Sequence, residues 1–157
     1  MGIIRGKKLM VFIKQSGGSY KSIGYATNHT LSTSVATIDI AHKDLADAAS
    51  GRWDDQDVDT FSWTITSENF YADSAEGETF STIFAYYVAG TELDLKFTCA
   101  SDSTSGVPTG GWEPASSAIG AVLSGKAIIT SIDVNAPVGD NASMTITFTG
   151  KGALSAS

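Results

Sequence analysis

Two β-strand patterns joined by a very long connection constrain the fold more than any other feature of the sequence. Residues 30–40 are mostly β-branched or small, and residues 60–66 alternate strictly, which places Phe61, Trp63 and Ile65 on one face. Both patterns predict half-buried strands. The connection between them, residues 41–59, is far longer than the about two to five residues that usually close a hairpin. We therefore interpret it as an arm that reaches a partner.

The arm combines one large aromatic side chain with many charged ones. Trp53 follows Arg52 and is surrounded by aspartates, so the segment offers an apolar anchor inside a polar rim, which is the usual anatomy of a protein interface. We predict that it contacts another protein molecule. The side chains assigned to this interface are Asp44, Arg52, Trp53, Asp54, Asp55 and Asp57.

Composition and charge exclude several classes of protein. The formal charge is −7, which argues against binding nucleic acid through phosphate contacts, because those need clustered lysine and arginine. No apolar run approaches the about 20 residues that cross a bilayer, and the apolar run after the N-terminal basic residues stops at Lys14, so we expect neither a secretion signal nor a membrane segment. Cys99 alternates with Phe97 and Leu95 and is interpreted as an inert core thiol.

The remaining patterns predict a mainly β domain. Further strands are expected over 9–14, 20–27, 92–100, 126–134 and 143–149, the last ended by the glycines at 150 and 152. An apolar stripe at helical spacing predicts one α-helix packed against the sheet and ended by Gly90; its members are Phe80, Ile83, Phe84, Tyr87 and Val88. We predict one domain over residues 1–157, an antiparallel β-sandwich or barrel of about seven strands with one flanking helix. A flexible loop is expected over 101–117.

The sequence offers no converging set of catalytic groups. Its two histidines, His29 and His42, stand in no nucleophile motif. His42 with Asp39 and Asp44 lacks any specific metal-ligand spacing. We therefore predict no catalytic, cofactor-binding or metal site, and no enzyme activity.

The chain resembles the major tail tube protein of long-tailed bacteriophages. The resemblance rests on pattern and order over nearly the whole chain: IGYATNHTLS at 23–32, KD at 43–44 with GRW at 51–53, FSWTITSE at 61–68, GKAIITSI at 125–132 and TGKGAL at 149–154.

The resemblance implies a ring of six copies, and rings that stack into the hollow tube through which the genome leaves the virion. It implies sheets lining the lumen, a helix outside them, and a long loop reaching a neighbouring subunit, which would be the arm over 41–59. Implied partners are further copies of the chain and the tape-measure and tail-terminator proteins, while DNA passes without specific binding. The tube would be assembled in the bacterial host cytoplasm and would lie in the virion tail.

Net negative charge around a channel would repel DNA phosphates. Glu92, Asp94 and Lys96, which alternate with apolar residues along one predicted strand, are the candidates for the lumen, although a solvated outer face explains the alternation equally well.

Other functions fit the same patterns. A monomeric β-sandwich binding module of the adhesin or carbohydrate-binding type would use Trp53 and Trp112 as exposed platforms, whereas either indole could instead fold back onto its own domain. A tube protein of a contractile tail or a type VI secretion system, a joining protein and a baseplate hub would share the fold that the resemblance implies.

Overall fold

The described part of the chain consists of seven β-strands and one α-helix. The structure, a computed structural model, describes residues 3–15, 17–39, 56–71, 79–101, 111–115 and 122–156. A short 3-10 turn at Gly6–Lys8 precedes β1 (Leu9–Lys14), β2 (Tyr20–Ser22), β3 (Ala26–Asp39), β4 (Gln56–Phe70), α1 (Phe80–Ala89), β5 (Leu93–Cys99), β6 (Leu123–Asn135) and β7 (Ser143–Ala156).

All seven strands belong to one antiparallel sheet. The order across it is β2-β1-β5-β6-β7-β4-β3, so four pairs of neighbours follow each other in the chain, while β1–β5 and β4–β7 join distant parts of the chain. Strands β1 and β3 stand at opposite sides of this order and yet contact each other, which shows that the sheet curls. The predicted mainly β fold of about seven strands with one helix is confirmed, and its single curled sheet is closer to an open barrel than to a two-sheet sandwich.

One face of the sheet carries the hydrophobic core. Side chains alternate between the faces of a strand, so every second residue points toward α1, which packs over β6. The buried residues that form this cluster are Val11, Ile13, Ile23, Trp63, Ile65, Ile83, Leu93, Leu95, Ala127, Ile129, Met144, Ile146 and Phe148. Cys99 is also buried, as expected of a core thiol.

The helix ends as predicted but buries a different stripe. Gly90 adopts the left-handed conformation, with φ 64°, and the Thr91 amide donates to the Tyr86 carbonyl oxygen, the bonding pattern of a Schellman ending. Ile83 is fully buried, and Phe80 and Tyr86 pack against the core. Three residues of the predicted stripe are exposed instead: Phe84, Tyr87 and Val88. Because the helix is apolar on most sides, the sequence is compatible with two different buried stripes. The sheet covers the stripe along residues 80, 83 and 86.

Several predicted boundaries were wrong. The strand expected over 20–27 ends at Ser22, and β3 already begins at Ala26, before the expected residue 30. Strand β4 begins at Gln56, so residues 56–59 of the expected arm are strand, held by cross-strand partners on β3. Strand β7 continues to Ala156, although glycines suggested an end at 150–152. Gly152, with φ 84°, marks a bulge there and does not end the strand.

Part of the expected loop over 101–117 lies against its own domain. Residues 111–115 are described, and the Trp112 carbonyl oxygen accepts a 3.0 Å hydrogen bond from the Ser22 amide. The indole of Trp112 is half-buried and lines a hollow with Ile23 and Tyr25. Trp112 therefore packs against its own domain, which is one of the two possibilities that the sequence left open.

Candidate assembly interface

The outer halves of β3 and β4 form a two-stranded ribbon. The two strands pair from Ala26 opposite Asn69 to Asp39 opposite Gln56, but β7 pairs with β4 only from Thr64 to Phe70. Residues 33–39 and 56–63, named the ribbon here, therefore pair only with each other in the part of the chain that the structure describes. A two-stranded hairpin is marginally stable in water. Packing against another segment or another molecule would therefore stabilise the ribbon.

The ribbon presents apolar side chains to solvent. Phe61 is 80% exposed, and Val35, its direct cross-strand partner, is also exposed. Trp63 and Ile65 follow on the same side of β4 and are buried. The three residues therefore share one face, as predicted, but the rest of the protein covers only Trp63 and Ile65 and leaves Phe61 exposed. Val58 adds exposed apolar surface further out on the same side, whereas Ile38, which pairs with Asp57, is exposed on the opposite side of the ribbon. Exposed apolar clusters are common where a protein contacts another molecule.

Hydrogen bonds between side chains fix the register of the ribbon. The hydroxyls of Ser34 and Ser62 lie 2.7 Å apart across the two strands. Near its end, the Thr37 hydroxyl donates to Gln56 Oε1 at 2.9 Å, and Gln56 Nε2 donates to Asp39 Oδ1 at 3.0 Å. The ribbon is therefore a defined structural element, and its apolar side chains on the Phe61 side are exposed among the residues that the structure describes.

The structure places one of the six predicted interface residues. Asp57 lies on β4 opposite Ile38, is exposed, and accepts a 2.8 Å hydrogen bond from the Val58 amide. The other five, Asp44, Arg52, Trp53, Asp54 and Asp55, lie outside the described residues. The apolar contribution of Phe61, Val35 and Val58 was missed by the sequence analysis; the signal available was their position next to the long connection.

A cleft opens where β7 separates from β4. Beyond Thr149, strand β7 pairs with β6 alone, and residues 152–154 bulge out opposite Gly125. The Trp63 ring packs against Gly125 and Gly150, and its Nε1 donates to the Gly152 carbonyl oxygen at 3.1 Å. The resulting cleft of about 440 Å³ lies between the ribbon and the bulge; it is lined by Thr33, Ser34, Val35, Phe61, Ser62, Trp63, Gly152, Ala153 and Leu154.

Along the long strands, the face of the sheet opposite the core is polar and rich in hydroxyl groups, whereas on β1 the same face carries the buried Phe12. It carries the residues that alternate with the core positions on the long strands, and we call it the polar face. Its hydroxyl-bearing residues on β3, β4 and β7 are Thr30, Ser32, Thr64, Thr66, Thr145, Thr147 and Thr149. The Thr130 and Thr149 hydroxyls are 3.0 Å apart. On these three strands the face therefore presents mainly short, neutral and hydrophilic side chains.

The three candidate lumen residues lie together on the polar face. Asp94 lies directly opposite Lys126 of β6 in the strand register. Lys96 places its ammonium 4.2 Å from the centre of the Tyr20 ring, a cation–π contact. Glu92 forms an ion pair with Lys151, and the hydrogen bond and charge of that lysine lower the pKa of the Glu92 carboxyl. Acidic and basic groups are therefore interleaved here.

His29 is the one histidine that the structure describes. It lies opposite Ser67 on β3, and burial lowers its pKa to about 4. Neither ring nitrogen has a hydrogen-bond partner within the part of the chain that the structure describes, and the partly buried side chain favours its neutral form. Among the described residues no group of three or more His, Cys, Asp and Glu side chains is placed to hold a metal ion, and no described helix has the length and apolar character to span a membrane.

Comparison with known proteins identifies the family. The model of the phage tail tube protein family matches residues 3–156. No protein with a curated description matches the chain in sequence.

Solved structures share the fold. A tail protein of an empty gene transfer agent particle, refined with helical C6 symmetry, is 18% identical, superposes with a TM-score of 0.72 and is matched over 99% of both chains. A chain of the native gene transfer agent virion is 17% identical with a TM-score of 0.69, again over 99% of both chains. The tail tube protein of SPP1 is 9% identical with a TM-score of 0.66, over 98% of this chain and 78% of that one. The chain belongs to the phage tail tube protein family and is a structural protein of a particle's tail.

Proposed function

We propose that six copies of this protein close into a ring, and that the rings stack into a hollow tube for the passage of DNA. The observation that carries the proposal is the ribbon, a paired and hydrogen-bonded element whose apolar side, with Phe61 80% exposed, has no partner among the described residues of its own chain. The sixfold symmetry named for the similar gene transfer agent tail supports the number of copies.

The two sides of the sheet suit different roles in such a ring. The polar face carries hydroxyls and interleaved charges, so it can line a water-filled lumen, whereas α1 covers the other face and would lie outside. We assign Glu92, Asp94 and Lys96 to the lumen. Because Lys96 stacks on Tyr20 and Lys151 pairs with Glu92, two of the basic groups on this face are already occupied, which disfavours tight phosphate binding.

The ribbon and the arm beyond it would form the contact between copies. A closed ring uses a heterologous interface, in which one patch of each copy meets a different patch of the next. Phe61 and Val35 supply apolar area on the ribbon, and the proposed interface also includes Asp44, Arg52, Trp53, Asp54, Asp55 and Asp57. Tape-measure and tail-terminator proteins are the further proposed partners, with assembly in the host cytoplasm and no catalytic activity.

The test compares three proteins by light scattering and negative-stain electron microscopy. The unmodified protein should form rings or tubes with sixfold class averages. Phe61→Asp should abolish or strongly shorten them, because it places a charge in the proposed apolar contact, while Phe61→Leu should retain them. Circular dichroism should show that all three fold. A monomer at every concentration, or normal tubes from Phe61→Asp, would contradict the proposal.

A further inference from the structure

We infer that the N-terminal segment of one copy, residues 3–5, docks in the cleft of a neighbouring copy. This inference rests on the proposed self-assembly and specifies one of its contacts. Residues 3–5 form no regular secondary structure, and Ile3 is 97% exposed. Ile4 is also exposed. These two adjacent isoleucines are exposed on a segment that has no β-sheet partner among the described residues. Such a segment can pair with an unpaired strand edge.

The cleft supplies such edges on both sides. The ribbon stretch of β4, residues 56–63, lacks a partner on the side away from β3, and residues 150–156 of β7 lack one on the side away from β6, within the described chain. Unpaired strand edges accept an added extended segment through main-chain hydrogen bonds. Val35, Phe61 and Leu154 line the cleft, so an inserted strand would also find apolar contacts for isoleucine side chains.

The charges of the two elements are opposite. The N-terminal segment contains Arg5 and no acidic residue, and Lys7 and Lys8 follow it in the 3-10 turn. The ribbon contains Asp39, Asp57 and Asp59, all exposed, and no basic residue. Complementary charge of this kind steers association and fixes orientation more than it adds affinity. The ribbon aspartates would therefore orient the segment as the isoleucines enter the cleft.

A second copy fits this cleft better than the chain's own segment. The segment leads into β1, and strands β5, β6 and β7 separate β1 from the cleft in the sheet. At about 4.8 Å per strand the path is roughly 17 Å along the sheet, and roughly 12 Å across the seam where β1 contacts β3. Residues 6–8 form the 3-10 turn, so only residues 3–5 can extend. Three extended residues span at most about 10 Å, which is too short for either path. In a heterologous ring, the next copy brings its own segment to the cleft without that path.

The first experiment removes the apolar anchor. In Ile3→Asp/Ile4→Asp the assembled fraction, measured by sedimentation and electron microscopy, should fall at least about tenfold. The matched control is Val138→Asp, another fully exposed apolar residue, in the β6–β7 turn; it should assemble as the unmodified protein does. Normal assembly of the Ile3/Ile4 variant beside an assembling unmodified protein would overturn this inference and leave the proposed function intact. A monomeric unmodified protein would overturn both.

The second experiment tests the contact itself. Ile3→Cys and Val35→Cys chains carrying different tags are mixed and oxidised, with Cys99 buried in the core of each. A cross-linked product containing both tags is expected. Cross-links confined to chains of one kind would overturn the inference. Asp59→Arg should also lower the assembled fraction several-fold, and Arg5→Asp in the same chain should restore it; a further loss in the double variant would contradict the charge pairing.

Discussion

Replacing Gly150 by alanine should destabilise the monomer because Trp63 occupies the space that a side chain would need. A Cβ at Gly150 would lie 2.2 Å from Trp63 Cε2, 2.3 Å from Nε1 and 2.4 Å from Cδ2, whereas carbon atoms in contact are about 3.5–4.0 Å apart. The ring would have to move by more than about 1 Å. Trp63 is only 5% exposed and is held within the core, so such a shift displaces its neighbours.

The size of the effect follows from three contributions. Overpacking of a core costs about 1–3 kcal/mol, and loss of the 3.1 Å bond from Trp63 Nε1 to the Gly152 carbonyl oxygen costs about another 1 kcal/mol. Alanine restricts the unfolded chain, which returns about 0.4–1 kcal/mol. The net loss is about 1–3.5 kcal/mol. For a chain of this size that corresponds to a Tm lower by about 2–14 °C.

Thermal unfolding followed by circular dichroism at one low protein concentration measures this loss, since assembly itself would raise the Tm. Gly17→Ala is the control, because nothing lies within 4 Å of a Cβ there; its Tm should stay the same or rise by up to about 4 °C, since alanine there only restricts the unfolded chain. In a Trp63→Leu background the Gly150→Ala cost should shrink to below about 1 kcal/mol. Equal Tm values for the Gly150 and Gly17 variants would refute the reasoning.

Three further predictions concern the helix, the buried histidine and the polar face. Ile83→Ala should cost about 2–4 kcal/mol in chemical denaturation of the monomer, because Ile83 is fully buried, whereas Phe84→Ala should cost less than about 1 kcal/mol; similar losses would show that the helix buries the other stripe. Because the pKa of His29 is about 4 in the folded protein and about 6.5 when unfolded, protons favour the unfolded chain, so stability should fall as the pH drops from 6.5 toward 4, by up to about 3 kcal/mol. His29→Leu should remove this part of the pH dependence, and an unchanged profile would argue against it. In NMR titration Glu92 should show a lowered pKa that rises toward its ordinary value in Lys151→Met; no change would disprove the ion pair.

The local content of the fold could be predicted from the sequence, because alternation and turn residues act over short distances. The hairpins β1–β2 and β6–β7 and the helix end at Gly90 all follow from such signals. The pairings β1–β5 and β4–β7 join segments far apart in the chain, and no local pattern encodes them. Sheet order therefore came from the structure alone.

The candidate interface was only partly predictable, for a related reason. Alternation placed Phe61 and Trp63 on one face, but whether that face is covered depends on the path of β7, which pairs with β4 only as far as Thr64. The glycines at 150 and 152 predicted an end to the strand, whereas Gly150 makes room for Trp63 and Gly152 turns the bulge. Both roles depend on a side chain about ninety residues away.

The position of β7 in the sheet has a consequence for biosynthesis. This strand follows all the others in the chain, yet it lies between β6 and β4. Until it has left the ribosome, the sheet exists as two unconnected pieces, with β3 and β4 on one side and β1, β2, β5 and β6 on the other. Because domains fold as units once their sequence is available, a nascent chain lacks both the Trp63 packing site and the cleft. Copies released before β7 is complete would thus lack the surfaces proposed for assembly, so the order of strands couples assembly to the synthesis of β7.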